Sequence, residues 1–200
     1  ERDGNRVHAV VRGLGAASDG RATAIYAPLA SGQSRALMRA YDAAGYDPDT
    51  IELVEGHGTG TVAGDRTELE GLHQVFAPDG AVDAPWCAIG SVKSQIGHTK
   101  AAAGAASLVK VVGALSRKVL PPTIKVAEPA PSLQSGSPFY VNSQSRPWIR
   151  SKAHPRRAAV SSFGFGGSNF HCTLEEYLGP NAAQPTRVIA SELVLIGADT

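Results

Sequence analysis

Cysteine is nearly absent: Cys87 and Cys172 are the two in 200 residues, far apart and without a CxxC pair. That scarcity excludes a disulfide framework, and a reducing, cytoplasmic setting is the simplest expectation. No apolar run approaches the roughly 20 residues that a membrane-spanning helix needs, so no span is expected. Charge is sparse too, at 18% of residues against about 25% in an average globular chain. Such a surface points to cover by a partner subunit or by further parts of the same protein. The net charge of +1 argues against a general polyanion-binding role, nucleic acid included. The chain opens at Glu1 with neither an initiator Met nor a signal-like segment, which reads as a piece of something longer. Neither GxGxxG after a strand nor a GxxxxGK phosphate loop occurs, which leaves a nucleotide site little support, and there is no internal repeat.

What the chain does have is 42% hydrophobic residues, enough for a real core in about one domain. Valine-rich 7–12 suits a buried strand, followed by a Gly/Ala/Ser/Asp loop over 13–24. Ser34–Ala44 has helical spacing and a C-terminal cap in Gly45. Residues 51–55 and 87–90 are expected as short strands. Asp65–Phe76 reads as a helix opened by Asp65, with Glu68 three residues on as in a capping box. The strongest helical signal is Lys100–Lys118, small-residued in its first turns and stopped by Pro121-Pro122. A short strand over 139–142 follows, then two strands, 158–163 and 170–175, joined by a glycine-rich turn. Strands alternating with helices predict an α/β layered fold. Residues 179–187 look like a linker, and Val188–Gly197 like the first strand of a following region.

Two glycine-rich phrases hold histidines: Glu55-Gly56-His57-Gly58-Thr59-Gly60-Thr61 and Gly90-Ser91-Val92-Lys93-Ser94-Gln95-Ile96-Gly97-His98. Glycines beside His57 allow a sharp turn and close approach of a ligand, although a plain strand-to-helix connection with a surface histidine fits the same residues. Thr59 and Thr61 are expected to alternate in direction and offer two hydroxyls along an extended ligand. His98 stands before the long helix, whose N-terminal partial charge disfavours imidazolium; a neutral ring can donate its N–H to a developing oxyanion. Lys93 can orient that histidine or add positive potential, or be an ordinary solvated lysine. A metal site would need a third ligand, and no HxxxH or HxH pattern supplies one, so none is expected. Phe165, at the tip of Gly164-Phe165-Gly166-Gly167-Ser168-Asn169 and flanked by Phe163, is either a gating aromatic beside free backbone N–H groups or a core aromatic in a hairpin. Arg146, Arg150, Lys152, Arg156 and Arg157 around Trp148 form either a solvated face or a dock for an acidic partner. His8, His73, His154 and His171 have no phrase that suggests chemistry.

Together EGHGTGT at 55–61, GD..E at 64–68, GSVKSQIGHTKAAAG at 90–104, LPPT at 120–123 and SSFGFGGSNFH at 161–171 closely resemble the C-terminal half of the β-ketoacyl synthase (ketosynthase) domains of polyketide and fatty-acid synthases. The resemblance covers roughly residues 5–178, leaving 179–200 as linker and start of a following region. It implies a thiolase-like α/β/α fold, of which this chain is one of two similar halves. It also implies an acyltransferase that carries out decarboxylative Claisen condensation of an acyl thioester with a malonyl-type extender on an acyl carrier protein. His57 and His98 resemble the catalytic histidines that bind the extender's thioester carbonyl, and Lys93 the active-site lysine. Thr59 and Thr61 resemble the threonines that hold the phosphopantetheine arm, and Phe165 the gating phenylalanine whose N–H completes the oxyanion hole. No cofactor is bound directly in that scheme, since the carrier protein delivers the arm; the other partners implied are the N-terminal half and a second copy in a homodimer.

Three departures stand out. The nucleophilic cysteine belongs to the family's other half, and neither Cys87 nor Cys172 has its context. Gly56 replaces the usual alanine. The retained Phe165 and the ending Asn169-Phe170-His171 resemble the iterative synthases of polyunsaturated fatty acids, enediynes or glycolipids. The alternatives are a non-condensing partner, akin to a chain-length factor or a decarboxylase, or a thiolase-fold hydrolase or transferase of another class.

Overall fold

The computed structural model describes residues 2–21, 24, 26–133, 136–180 and 182. In chain order the elements are β1 (Val10–Ser18), α1 (Ala30–Ala44), β2 (Leu53–Glu55), α2 (Val62–Phe76), β3 (Cys87–Gly90), α3 (Lys93–Ile96), α4 (Ala103–Arg117), β4 (Val119–Leu120), β5 (Phe139–Val141), β6 (Arg146–Pro147), β7 (Arg157–Gly164) and β8 (Ser168–Glu175). Six strands form one sheet in the order β1-β8-β7-β2-β3-β5. The hairpin β7–β8 and the pair β1–β8 are antiparallel, whereas β2, β3 and β5 run parallel to β7. β4 and β6 make a separate small antiparallel ribbon.

Side-chain alternation explains the layers. Leu53, Ala88, Ala158 and Val160 point to one face and meet Val111, Ala114 and Leu115 of α4, with Trp148. Their neighbours Val54, Cys87, Ile89 and Ala159 point to the other and meet Leu37 and Tyr41 of α1 and Leu69, Leu72 and Phe76 of α2. With apolar side chains on both faces, the sheet must be covered twice, and the result is an α/β/α sandwich.

The expected loop over 13–24 is instead the continuation of β1 as far as Ser18. Its glycines are there for packing: a Cβ on Gly13 would lie 2.0 Å from the carbonyl oxygen of Ala40, and one on Gly15 1.9 Å from that of Ala36. Only bare backbone lets α1 approach β1 so closely. α1 ends as expected at Gly45, left-handed at φ 72°, whose N–H returns to the Tyr41 carbonyl. α2 begins earlier than expected. Thr61 is its N-cap, accepting the Gly64 N–H, so Asp65 and Glu68 do not form the capping box. Asp65 instead accepts from Gly60 N at 3.1 Å, and Glu68 turns inward. Before α4 the chain makes a 3-10 turn over Lys100–Ala102.

The basic stretch is largely spent within the fold. Arg156 pairs with Glu176 at 2.6 Å, Arg157 pairs with Glu175 at 3.0 Å and lies over the Tyr46 ring, and Arg146 bonds the Tyr140 hydroxyl. His171, without a motif around it, is fully buried; its Nδ1 meets Ser161 Oγ at 3.0 Å and its Nε2 the Tyr41 hydroxyl at 3.1 Å. The strand expected at Val188–Gly197 lies outside the described residues, as does most of the expected linker.

Candidate functional site

β2, β3 and β7 are adjacent and parallel, so their carboxyl ends open on the same edge of the sheet. The His57 phrase leaves β2 there, the Lys93–His98 phrase leaves β3, and the Gly164–Gly167 turn leaves β7. That is how segments far apart in sequence meet, and it is where α/β sheets generally place their sites. The first two are joined directly, Gly56 N donating to Gly90 O at 2.7 Å. Gly58, at φ 49°, lets the loop pass Ser91, whose Cβ would be 2.7 Å from a Cβ added there.

The His57 and His98 rings meet edge to face, centroids 5.5 Å apart at 84°. They line a cavity of about 800 Å³ together with Thr59, Thr61, Phe163 and Phe165. His57 is half-buried, and burial, helped by the positive field of Lys93 and by His98, pushes its pKa down to about 4. His98 is exposed; burial and the charges of Lys93 and Lys100 lower its pKa as well. Its Nδ1 accepts the Lys100 backbone N–H at 3.0 Å. A neutral His98 therefore carries its proton on Nε2, the nitrogen left free to donate. The positive character expected from a helix start is supplied concretely by that one N–H.

Lys93 is not part of the cavity wall. It is half-buried, its pKa lowered by burial and held up by Glu68 and Glu55. The Thr59 and Thr61 hydroxyls do not alternate in direction: they meet at 2.9 Å and belong to the start of α2, Thr61 capping Gly64 N. Both still border the cavity. Phe163, the second residue expected at the oxyanion hole and gate, is buried with its ring 5.8 Å from His57 and lines the same cavity. Phe165 is 92% exposed at the turn's tip and lies nearly parallel to the Tyr26 ring at 6.2 Å. That excludes the core-aromatic alternative for Phe165. The other end of the turn is pinned, Asp19 donating its N–H to Gly167 O at 2.8 Å and accepting from Asn169 Nδ2 at 2.7 Å.

Three site residues escaped the sequence reading. Glu68 accepts from His57 N at 2.6 Å and from Gly58 N at 2.8 Å, and burial raises its pKa to about 7. Glu55, fully buried, accepts from Val92 N at 2.5 Å, Ser107 Oγ at 3.3 Å and Lys110 Nζ at 2.7 Å. Asp19 is the third. The available signals were Glu55 at the head of the first histidine phrase and Glu68 in the GD..E segment, where it also matched a helix cap.

No thiol reaches the site. Cys87 is buried in the α1/α2-side core with its pKa well above the ordinary value, Cys172 is also shifted upward by burial, and neither borders the cavity. Among the described residues no group of three or more His, Cys, Asp or Glu side chains is placed to hold a metal ion. Among them, too, no helix is long and apolar enough to cross a membrane.

Comparison with known proteins agrees on what this arrangement is. Residues 8–127 match the family described as the β-ketoacyl synthase C-terminal domain. Over 181 residues the chain is 51% identical to a polyunsaturated fatty acid synthase of Thraustochytrium sp., an alignment covering 88% of this chain and 6% of that protein. It is 43% identical over 178 residues to polyketide synthase PksL of Bacillus subtilis, covering 88% of this chain and 4% of the relative. The solved ketosynthase from module 6 of the Bacillus subtilis bacillaene synthase superposes with a TM-score of 0.83 at 42% identity, over 90% of this chain and 34% of that one. The chain thus spans a small fraction of these synthases and about a third of a solved ketosynthase. It belongs to the β-ketoacyl synthases as their C-terminal domain, with the thiolase-like α/β/α fold of the ketosynthases.

Proposed function

We propose that residues 1–178 supply the decarboxylating side of a ketosynthase site in a larger synthase, and that 179–200 lead into the next region. One observation carries this reading: the His57 and His98 rings meet edge to face on one cavity, and the Lys100 N–H on His98 Nδ1 leaves Nε2 of the neutral ring to donate. Two such donors suit a thioester carbonyl of a malonyl-type extender. As the carboxylate–carbon bond breaks and CO2 leaves, the electron pair moves onto the thioester as an enolate, and the histidine N–H groups stabilise the oxygen. The enolate carbon then attacks an acyl thioester on a cysteine of the N-terminal half, forming the carbon–carbon bond and expelling the thiolate. Lys93 adds positive field behind the rings, which keeps them neutral. Thr59 and Thr61 border the path of a phosphopantetheine arm brought by an acyl carrier protein, and the Phe165 turn stands at its mouth. The N-terminal half, a second copy in a homodimer and the carrier protein are the partners.

The test is made in the whole parent synthase, by following CO2 release from the malonyl-type extender. His57→Ala and His98→Ala should each lower it by about 10²–10³, the usual effect of one oxyanion donor. Release at the parental rate in both would overturn the reading. Residues 1–200 alone should take up no acyl group from acyl-CoA; a defined adduct on Cys87 or Cys172 by mass spectrometry would contradict this. If the parent carries no nucleophilic cysteine upstream, the second reading applies, a non-condensing partner of the chain-length-factor or decarboxylase kind.

A further inference from the structure

The loops that carry His57 and His98 leave different strands, and each is flexible in composition. Backbone pairing of Gly56 with Gly90 joins them at their base only. Among the described residues one buried carboxylate adds a side-chain tie between the end of β2 and the second loop. Glu55 directly precedes the His57 phrase and is inaccessible to solvent. One of its oxygens accepts the N–H of Val92, the residue before Lys93 and α3, and the hydroxyl of Ser107 in α4. The other accepts from Lys110, one turn further along α4 and itself 10% exposed. Glu55 therefore links the end of β2, the start of the second histidine loop and the helix that follows that loop.

A buried ion pair is not needed for stability, since apolar replacements of similar volume often do as well. Its geometry here is specific to the two histidine loops. We propose that Glu55, held by Lys110, is a positioning residue for decarboxylation, fixing the Lys93–His98 loop relative to His57. The inference rests on the two-histidine reading above and adds to it. Displacing either ring by an ångström is enough to lose about two orders of magnitude in rate, whereas on the two-histidine reading the thiol that accepts the acyl chain belongs to the other half.

The experiment uses the full-length synthase. Glu55→Leu/Lys110→Met removes the pair while keeping the interior neutral; Glu55→Gln/Lys110→Met is equally neutral but retains an acceptor for Val92. The expected result is that both melt near the parent. The Leu/Met variant loses about 10²-fold in kcat for extender decarboxylation with KM unchanged, the Gln/Met variant recovers most of it, and acyl loading of the thiol stays intact in both. If the Leu/Met variant does not fold, Glu55→Asp keeps the ion pair but draws the oxygens back from Val92. It should lower kcat at least tenfold at an unchanged melting temperature. Parental decarboxylation in the Leu/Met variant, or in Glu55→Asp where Leu/Met does not fold, overturns the inference. His57→Ala and His98→Ala, run alongside, separate its failure from that of the two-histidine reading: they still lower decarboxylation by about 10²–10³ if only the brace is wrong.

Discussion

His57 and His98 come from phrases of similar composition, and desolvation leads in lowering both pKa values, yet their surroundings differ. His57 is half-buried, backed by Phe163, and its backbone is fastened by the two oxygens of Glu68. Desolvation does most of the work there. His98 is exposed and follows a short helix and a glycine at φ 77°; desolvation again leads, the charges of Lys93 and Lys100 add to it, and the Lys100 N–H fixes its Nδ1. The difference teaches that one site can set two imidazoles in place by different contacts, a buried carboxylate and an aromatic ring at one and a single backbone N–H at the other. It follows that the two should fail differently.

The largest way to separate them is Glu68→Leu. It strips both acceptors from His57 and Gly58, leaving two N–H groups unpaired at about 1–3 kcal/mol each. Extender decarboxylation should fall by about 10², while the His98 ring titration seen by NMR stays where it was. If both histidines shift together, the comparison fails.

A middle-sized effect is expected in stability against pH. The folded pKa of Glu68 is raised, so its contribution is greatest below its unfolded value of 4.5 and is lost as pH rises through about 7. His57 and His171 are depressed to about 4 and about 3, so what they contribute is complete above 6.5 and is lost as pH falls toward those values. Glu68→Gln should remove the alkaline-going decline in melting temperature and leave the acid-going one. A curve unchanged by the substitution would refute the assignment.

The smallest effect should come from Lys100→Gly. Lys100 sits at φ 54°, a conformation glycine adopts without strain, so the backbone N–H remains in place while one positive charge leaves. The His98 pKa should move up slightly toward 6.5 and that of His57 should not move. A larger change at His57, measured by the same titration, would mean that the two rings are coupled more tightly than their surroundings suggest.

Much of this site could be read from the chain because its chemistry is local. Histidines, glycines and lysine stand within two short phrases, and a strand before each phrase puts them at a sheet edge. The parts that could not be read are those whose purpose lies elsewhere in the fold. Gly13 and Gly15 look like loop residues until α1 is seen lying on them. Glu68 fits a helix-capping pattern, but its oxygens go to a loop 11 residues away in sequence. Thr61 takes the cap, so the two threonine hydroxyls converge where alternation predicted otherwise. Arginines that resembled a docking face are committed to Glu175 and Glu176.

The sheet order also bears on how such a chain comes into being on the ribosome. β7 lies in the middle of the sheet, between β2 and β8, yet it is made after every strand but β8. Until the last hairpin emerges, β1 has no neighbour and the β2-β3-β5 wing keeps an open edge. Asp19 must likewise wait for Asn169, 150 residues later. Pairings this distant in sequence form slowly. A nascent or truncated chain therefore holds both histidine phrases without a site, and the hairpin that closes the sheet also delivers the Phe165 turn. Translation that stops short of β8 leaves an unfinished sheet.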